Sequence, residues 1–378
     1  MAKKKLLFFS IFIIIILVFV LTIYNIIYKN NNIYLNNKDE APNFISIMLE
    51  ETASSGEYKV SKSNKWPSKG YVFNKEMSYC NNGSTLTWNE NDNSVSVNIN
   101  KTDKCYVYFD IYVPTLVEYV KSQYTGTQGE NGLYYHDSTL ANGAGDNSYR
   151  YAGASDSVNN YICLGSDTTT CPDANLFRII GVFGNQTKVI RAKSVGYQQW
   201  HTSADNTWSS SSLNAYLNGT YLTSLGTIAE KIATTTWKVG GGSGSNISAS
   251  VPKTAYKNEV GSSASTTIID KKIGLMYVSD YGFAASPSAW TKTLGDYDGT
   301  DANGTSIKTI NWMYMGYNEW TISRHSDNTN SAFFVNSTGN VLGSNVRSDN
   351  GVRPSFNLDS TVTYVSGDGT KSNPIRIN

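Results

Sequence analysis

The sequence has little charge for its length. Of its 378 residues, 16% are charged and 40% are hydrophobic, whereas about 25% of an average soluble protein is charged. The 31 basic and 30 acidic side chains nearly cancel, which leaves a formal net charge of +1. Proteins that bind the phosphate backbone of nucleic acid need a basic excess, so nucleic acid is not expected as a partner. The hydrophobic content also excludes charge-rich disorder.

Catalytic motifs are scarce as well. The three histidines are far apart and none belongs to an HExxH motif. Ser-Asp-Asn triplets begin at Ser326 and Ser348, and Lys253 ends an SxxK motif. Penicillin-binding chemistry needs two different lysines, one of them after the SDN triplet, and here Lys253 would have to fill both places. The sequence therefore leans against an enzyme, and no catalytic residue is predicted.

Uncharged polar residues replace the missing charge. The chain contains 31 glycines and 26 tyrosines, and it is rich in Asn, Ser and Thr. Such residues favour turns and strands over helices. The sequence therefore predicts a chain of short elements joined by ordered loops.

One long apolar run stands out near the N-terminus. Lys3, Lys4 and Lys5 precede residues 6–28, and at 1.5 Å per residue this run reaches about 34 Å, enough to cross a hydrocarbon core of about 30 Å. A cleaved signal peptide is the alternative, but its apolar region is shorter and ends in a small-residue cleavage site. The run predicts an uncleaved transmembrane signal anchor in a single-pass protein of the cell membrane, with its C-terminal part extracellular.

Four cysteines follow this segment. Cysteines outside the cytoplasm are usually paired, and we expect the two sequential disulfides, Cys80 with Cys105 and Cys163 with Cys171. A zinc site and a reactive thiol are the competing interpretations, but for zinc neither pair has CxxC spacing or a neighbouring histidine.

Patterns along the chain predict five segments. Asn43 is a candidate cap for a short stalk helix that ends near Glu51. Alternating apolar and polar residues then predict a small disulfide-stapled β-domain. A short helix follows, and it leads into a linker that contains two glycines. The segments are 1–29 (cytoplasmic tip and transmembrane helix), 30–56 (stalk), 57–113 (β-domain), 114–131 (helix and linker) and 132–378 (a larger domain).

The larger domain shows both strand and helix patterns. Residues 176–183 and 188–192 predict a hairpin, and residues 273–278 predict a further strand. Two helices are expected, one after Trp208 and one over residues 222–233. Two helices among many short strands predict an α+β fold.

The order of these segments resembles an uncharacterised bacterial exported-domain family allied to the C-type-lectin-like and sulfatase-modifying-factor folds. The upstream segments CNNGSTLTW (80–88) and DKCYVYF (103–109) resemble a small accessory β-domain of Gram-positive surface proteins. The segments that carry the main resemblance are LFRII (176–180), WSSSSLNAYLN (208–218), IGLMYVS (273–279), EWTISR (319–324), AFFVNSTG (332–339) and GVRPSFNL (351–358).

The resemblance implies a C-type-lectin-like mixed domain whose C-terminal loops form the ligand face. Sulfatase-modifying enzymes need a pair of cysteines near the C-terminus, and no cysteine follows Cys171, so that oxidase activity is not expected. No cofactor is predicted, with calcium as an alternative.

An acidic segment carries the calcium hypothesis. Asp296, Asp298 and Asp301 alternate in the way that calcium ligands do, but Ile307 stands near the place where an EF-hand needs Glu. The segment favours an Asx-rich turn, and calcium binding is the alternative.

The segment from Trp312 to Asn350 is the richest in side chains that bind sugars or peptides. It combines aromatic rings with amide and guanidinium groups, which together offer flat apolar area, donors and acceptors. The predicted ligand contacts are Tyr317, Asn318, Arg324, His325, Asn328, Asn330, Asn345, Arg347 and Asn350.

These observations predict a membrane-anchored, adhesin-like recognition protein that binds a glycan or a host or bacterial surface protein without catalysis. Two alternatives remain, an enzyme that modifies cell-wall polymers and a structural subunit of a surface appendage. The sequence leaves the ligand open.

Overall fold

The computed structural model of the chain describes residues 44–62, 67, 70–89, 94–98 and 102–378. Strands account for 35% and helices for 19% of the structure. The predicted α+β class is therefore wrong, because the protein is mostly β. Asn, Ser, Thr and Gly are weak helix formers, and the longest α-helix among the described residues, Pro252–Glu259, has eight residues.

The predicted membrane anchor also needs correction. The part of the chain that the structure describes contains no helix that is long and apolar enough to cross a membrane. This finding contradicts the predicted single-pass membrane location. Residues 6–28, on which the prediction rested, lie outside the described residues, as does most of the predicted stalk.

Two compact units divide the chain, Met1–Val113 and Pro114–Asn378. In the first unit, one sheet has the strand order β2-β1-β6-β3 and a separate hairpin pairs β4 with β5. Its strands are β1 (Phe44–Glu50), β2 (Tyr58–Val60), β3 (Tyr71–Cys80), β4 (Thr85–Asn89), β5 (Ser94–Asn98) and β6 (Lys104–Ile111).

Strand β1 replaces the short helix predicted to end near Glu51. It runs parallel to β6, and Ile47 is buried in the small core with Val107 and Phe109. Ile45, Ile47 and Leu49 recur every second residue, which is the period of a strand and not of a helix. This alternation outweighs the helix-cap signal of the asparagine at position 43.

The Cys80–Cys105 disulfide joins residues that face each other on β3 and β6. The second predicted disulfide, Cys163–Cys171, is also present. Both pairings are confirmed.

The second unit contains a nine-stranded sheet, a five-stranded sheet and a two-stranded sheet. Its strands are β7 (Leu133–His136), β8 (Ser148–Tyr151), β9 (Tyr161–Cys163), β10 (Leu176–Phe183), β11 (Gln186–Arg191), β12 (Tyr197–Gln199), β13 (Thr235–Lys238), β14 (Ile268–Lys271), β15 (Ile273–Gly274), β16 (Glu319–Arg324), β17 (Ser331–Val335), β18 (Val341–Asn345), β19 (Asp349–Gly351), β20 (Ser355–Leu358), β21 (Tyr364–Ser366) and β22 (Ile375–Ile377).

Its helices are short. The α-helices are α1 (Leu116–Ser122), α2 (Ser212–Tyr216), α3 (Leu222–Ser224), α4 (Gly244–Ile247), α5 (Pro252–Glu259) and α6 (Val278–Phe283). The 3-10 helices are Glu130–Gly132, Asp173–Asn175, Trp208–Ser210, Gly226–Glu230, Pro287–Ala289, Leu294–Asp296 and Ile307–Ile310, and a π-helical turn covers Leu217–Tyr221.

Helix α1 belongs to the second unit. Thr115 caps it with a capping box, and Leu116 and Val120 are buried in the core of that unit. Residues 114–131 therefore begin the larger unit with a packed helix.

Predictions for individual elements had mixed outcomes. The hairpin is confirmed by the antiparallel pairing of β10 with β11. The predicted strand over residues 273–278 is wrong beyond Gly274, because Tyr277 and Asp280 form a capping box that starts helix α6. The predicted helix over residues 222–233 is split into α3 and the 3-10 helix Gly226–Glu230.

Candidate functional site

A small cavity with charged and aromatic walls lies in the second unit. Its volume is about 190 Å³. We call it the charged pocket, and its lining residues come from β8, β10, β11, β13, α5, α6 and β20. They include Arg150, Phe183, Lys188, Trp237, Tyr256, Tyr277, Asp280 and Asn357.

Asp280 is the centre of the charges in the pocket. Its Oδ2 accepts a hydrogen bond from Lys188 Nζ at 2.5 Å, and its Oδ1 lies 3.7 Å from Arg150 Nη1. The backbone N–H of Tyr277 donates to the same carboxylate at 2.8 Å. All three charged side chains are at least nine-tenths buried, so each depends on the others for the stabilisation that water would otherwise supply.

Aromatic rings surround both cations. Lys188 Nζ lies 4.6 Å from the centroid of Tyr277 and 5.4 Å from that of Trp237. The Arg150 guanidinium lies 4.6 Å from the centroid of the Phe183 ring and 5.0 Å from that of Tyr256. Ring faces attract cations, so the walls stabilise the charges and also offer flat apolar area.

Burial controls the ionisation of these groups. It lowers the pKa of Lys188, although the Asp280 carboxylate acts in the opposite direction. Burial also raises the pKa of Asp146 at the outer end of Arg150, but the Arg150 charge and hydrogen bonds from Ser148 prevail and lower it to about 2. Asp146 accepts a hydrogen bond from Arg150 Nη2 at 2.6 Å. Lys238 is a further cation among the lining residues, so the pocket presents charges of both signs, with more cations than carboxylates.

Two side-chain oxygens of lining residues, Asn357 Oδ1 and Ser279 Oγ, lack a hydrogen-bond partner among the described residues. Asn357 donates a hydrogen bond from Nδ2 to Thr235 Oγ1 at 3.0 Å. Its Oδ1 is buried and has no hydrogen-bond partner among the described residues. Asn357 lines the cavity, and buried acceptors are normally satisfied. This oxygen therefore has unused capacity to accept a hydrogen bond.

Strand register places the pocket residues on one side of the large sheet. Lys188 on β11 is directly opposite Asn357 on β20, and directly opposite residues project from the same face. The capping box at the start of α6 fixes Asp280 above them. The pocket therefore depends on a hairpin, a cross-strand pair and one helix start that are distant in sequence.

No sequence pattern predicted the charged pocket. Its clearest signal was Lys188, a single lysine at the start of the strand predicted over residues 188–192, whose neighbours Val189 and Ile190 are fully buried. A lysine in a strand with two buried faces cannot reach water and needs a partner. That partner lies 92 residues away in sequence, which no local pattern reveals.

The predicted contact residues between 317 and 350 are all in the second unit, but most of their polar groups bind the protein itself. The Oδ1 atoms of Asn318, Asn328 and Asn345 accept backbone N–H groups at 3.0, 3.2 and 3.0 Å. The bonds to Asn328 and Asn345 are Asx-type turn bonds, whereas Asn318 accepts from Ser337, 19 residues away. Asn330 and Arg347 are exposed beside them.

Arg324 and Asn350 are built into the fold. Arg324 donates from Nε to the Gly240 carbonyl at 3.1 Å and from Nη1 to Asn206 Oδ1 at 3.2 Å. Asn350 is 2% exposed on β19. Arg324 is partly exposed, and the buried Nδ2 of Asn350 has no hydrogen-bond partner among the described residues.

Tyr317 and His325 are half-buried. Tyr317 accepts a hydrogen bond from the Ser194 backbone at 3.2 Å. His325 stacks on Phe333 with centroids 4.0 Å apart, and its Nδ1 lies 3.1 Å from Asp327. Ligand binding by these loops stays a prediction, and the contacts described here favour a structural role for most of the set.

The three aspartates of the calcium hypothesis have separate roles. Asp301 is buried, and its Oδ1 accepts the backbone N–H groups of Asn303 and Thr305, both at 2.8 Å. Asp296 accepts the Thr293 hydroxyl at 2.5 Å, and Asp298 is exposed. Within the described ranges these three carboxylates do not converge as a ligand set, and Asp301 has the geometry of an Asx turn.

Among the described residues, potential metal ligands converge at one place, Cys80, Asp103 and Cys105. Both of these cysteines are joined in a disulfide. Their sulfurs are therefore not thiolate ligands.

Comparison with known proteins gives one match. A family model described as a domain of unknown function (DUF6273) matches residues 184–360. No curated protein and no solved structure shows significant similarity to the chain. The matched region contains most of the charged pocket, including Lys188, Trp237, Asp280 and Asn357, whereas Arg150 lies before it.

Proposed function

We propose that the second unit is a recognition domain that binds a neutral, hydroxyl-rich group, such as one sugar residue of a glycan, in the charged pocket without catalysis. The observation that carries this proposal is the unpartnered Asn357 Oδ1 in the wall of a cavity of about 190 Å³. A ligand hydroxyl that donates to this oxygen would satisfy it.

The presence of both signs of charge in the pocket favours a neutral ligand. An anion in the pocket would meet the Asp280 carboxylate, and a cation would meet Lys188 and Arg150. A hydroxyl group both donates and accepts hydrogen bonds, so it is compatible with both signs of charge. The rings of Trp237 and Tyr277 add apolar faces of the kind that pack against the C–H face of a sugar.

The same contacts support binding over acid–base catalysis. Burial favours the neutral amine of Lys188, but this group donates to Asp280 at 2.5 Å. Both groups are thus held by each other and not directed at a reacting atom. A wall-polymer enzyme and a surface protein as ligand remain the alternatives.

The test begins with a glycan array probed with the purified full-length protein, followed by calorimetry on the oligosaccharide that binds best. Substitution Asn357→Ala removes the unpartnered acceptor. We expect it to weaken binding by about five- to tenfold, the effect of one neutral hydrogen bond. Thermal melting checks that the variant remains folded.

Asn318→Ala is the matched control, because it makes the same change in the exposed predicted loop. It should leave affinity unchanged. If Asn318→Ala abolishes binding while Asn357→Ala has no effect, the loops between 317 and 350 are the ligand face and the pocket proposal is wrong. An array on which no glycan binds also contradicts it.

A further inference from the structure

Two adjoining cavities lie elsewhere in the second unit. Their volumes are about 390 and 520 Å³, and they share the lining residues Gly165, Thr227 and Ile228. We call the combined depression the basic groove. It has no lining residue in common with the charged pocket, so the two sites are independent.

The side chains of the groove are predominantly cationic. Arg191, Lys231 and Arg376 line it, and Asp167 is the acidic side chain among its lining residues. None of the salt bridges among the described residues involves any of the three cations. The groove therefore carries positive charge that the surrounding protein does not pair directly.

Arg191 has unused hydrogen-bonding capacity. Its Nε is buried and has no partner among the described residues. The guanidinium lies beside the buried Tyr221. Burial raises the pKa of that phenol to about 12, although the charge of Arg191 and a side-chain hydrogen bond from it act in the opposite direction. An unpartnered guanidinium N–H is a strong donor, and its fork geometry matches a carboxylate or phosphate oxygen pair.

Arg376 shapes the other end of the groove. Its guanidinium donates to the carbonyls of Thr168 and Thr169 at 2.8 and 3.3 Å. These bonds hold the loop closed by the Cys163–Cys171 disulfide. The bonds do not neutralise the charge of Arg376, so it adds to the positive potential of the groove.

We infer that the basic groove binds oxyanion groups, carboxylate or phosphate, of an extended ligand. Arg191 supplies the directed hydrogen bonds, and Lys231 and Arg376 supply the field that attracts the chain. The length of two adjoining cavities favours several linked anionic units over one free ion. This site is additional to the charged pocket and does not depend on it.

The experiment is calorimetry on the full-length protein with three probes, an oligogalacturonide, a short inorganic polyphosphate and a neutral oligogalactan. We expect one or both anionic probes to bind, with affinity that falls between about 50 and 500 mM salt because exposed charges are screened. The anionic probe that binds more tightly identifies the group. The neutral oligomer should not bind in the groove.

Variants then locate the site. Arg191→Gln should weaken binding of the anionic probe by about ten- to a hundredfold, as for a hydrogen bond to a charged group. Lys231→Gln should weaken it by up to about fivefold, as for an exposed ion pair. Lys257→Gln removes the same charge from an exposed side chain of helix α5, outside the groove, and should have no effect.

Three results would overturn the inference. These are no binding of either anionic probe, binding of the neutral oligomer that Arg191→Gln weakens as much as it weakens binding of the anionic probe, and anion binding that Arg191→Gln and Lys257→Gln change to the same extent. Arg191→Lys separates structure from charge, since it retains the cation and should keep part of the affinity if the variant folds. The Asn357→Ala protein should bind the anionic probes normally, so failure here is distinct from failure at the charged pocket.

Discussion

Asp280→Asn should destabilise the second unit by about 3–5 kcal/mol, the cost of removing one partner from a buried ion pair. The carboxylate is 3% exposed and lies 2.5 Å from Lys188 and 3.7 Å from Arg150. The amide has nearly the same shape and still accepts the Tyr277 N–H, so the lost charge dominates the effect. A domain of ordinary stability, about 5–15 kcal/mol, loses a large share of it.

Guanidinium unfolding followed by tryptophan fluorescence measures this loss. Asp298→Asn removes an exposed carboxylate and should change the free energy of unfolding by less than about 0.5 kcal/mol. Adding Lys188→Met to Asp280→Asn should recover part of the loss, because one buried unpaired cation is removed. A loss below about 1 kcal/mol for Asp280→Asn would refute the argument that the pocket charges depend on each other.

Three further predictions concern stability. The pKa of Asp146 is lowered to about 2 in the folded protein, so its carboxylate contributes fully to the free energy of unfolding above the unfolded value near pH 4. About 2 kcal/mol of this contribution is lost as the pH falls through 2. Asp146→Asn should remove this step from a pH series of unfolding curves. Replacing Cys80 and Cys105 by serine opens a loop of sequence separation 25 and should destabilise the first unit by up to about 3.5 kcal/mol, measured by urea unfolding with and without reductant. Gly241→Ala should lower the free energy of unfolding by about 1–3 kcal/mol, because Gly241 has a φ of +66° and faces the carbonyl of residue 324. Gly219→Ala lies in open space and should have little effect. Equal melting temperatures for the two variants would contradict this.

Local pairing was predictable from the sequence where neighbouring residues carry the signal. The β10–β11 hairpin follows from two apolar runs around a Gly-Asn turn, and both disulfides follow from cysteine spacing. The fold class was not predictable from the sequence, because capping and turn residues are equally consistent with short helices and with loops. In residues 44–50, the isoleucines recur every second residue, which is the period of a strand. This strand pairs in parallel with a segment about 60 residues later.

The candidate site was less predictable because long-range contacts create it. Lys188, Asp280 and Asn357 are unremarkable as single residues, and only the sheet register and the start of α6 bring them together. The amides between 317 and 350 gave a strong compositional signal. Their local turn bonds, such as that from the Arg347 backbone to Asn345 Oδ1, explain much of that signal without a ligand.

The most direct test of the central claim is a crystal structure of the protein with the oligosaccharide that binds best on the array. We predict a sugar ring in the charged pocket, packed against Trp237 or Tyr277, with a hydroxyl that donates to Asn357 Oδ1. An oligosaccharide bound at the loops between 317 and 350, with the charged pocket occupied only by water, would contradict the account.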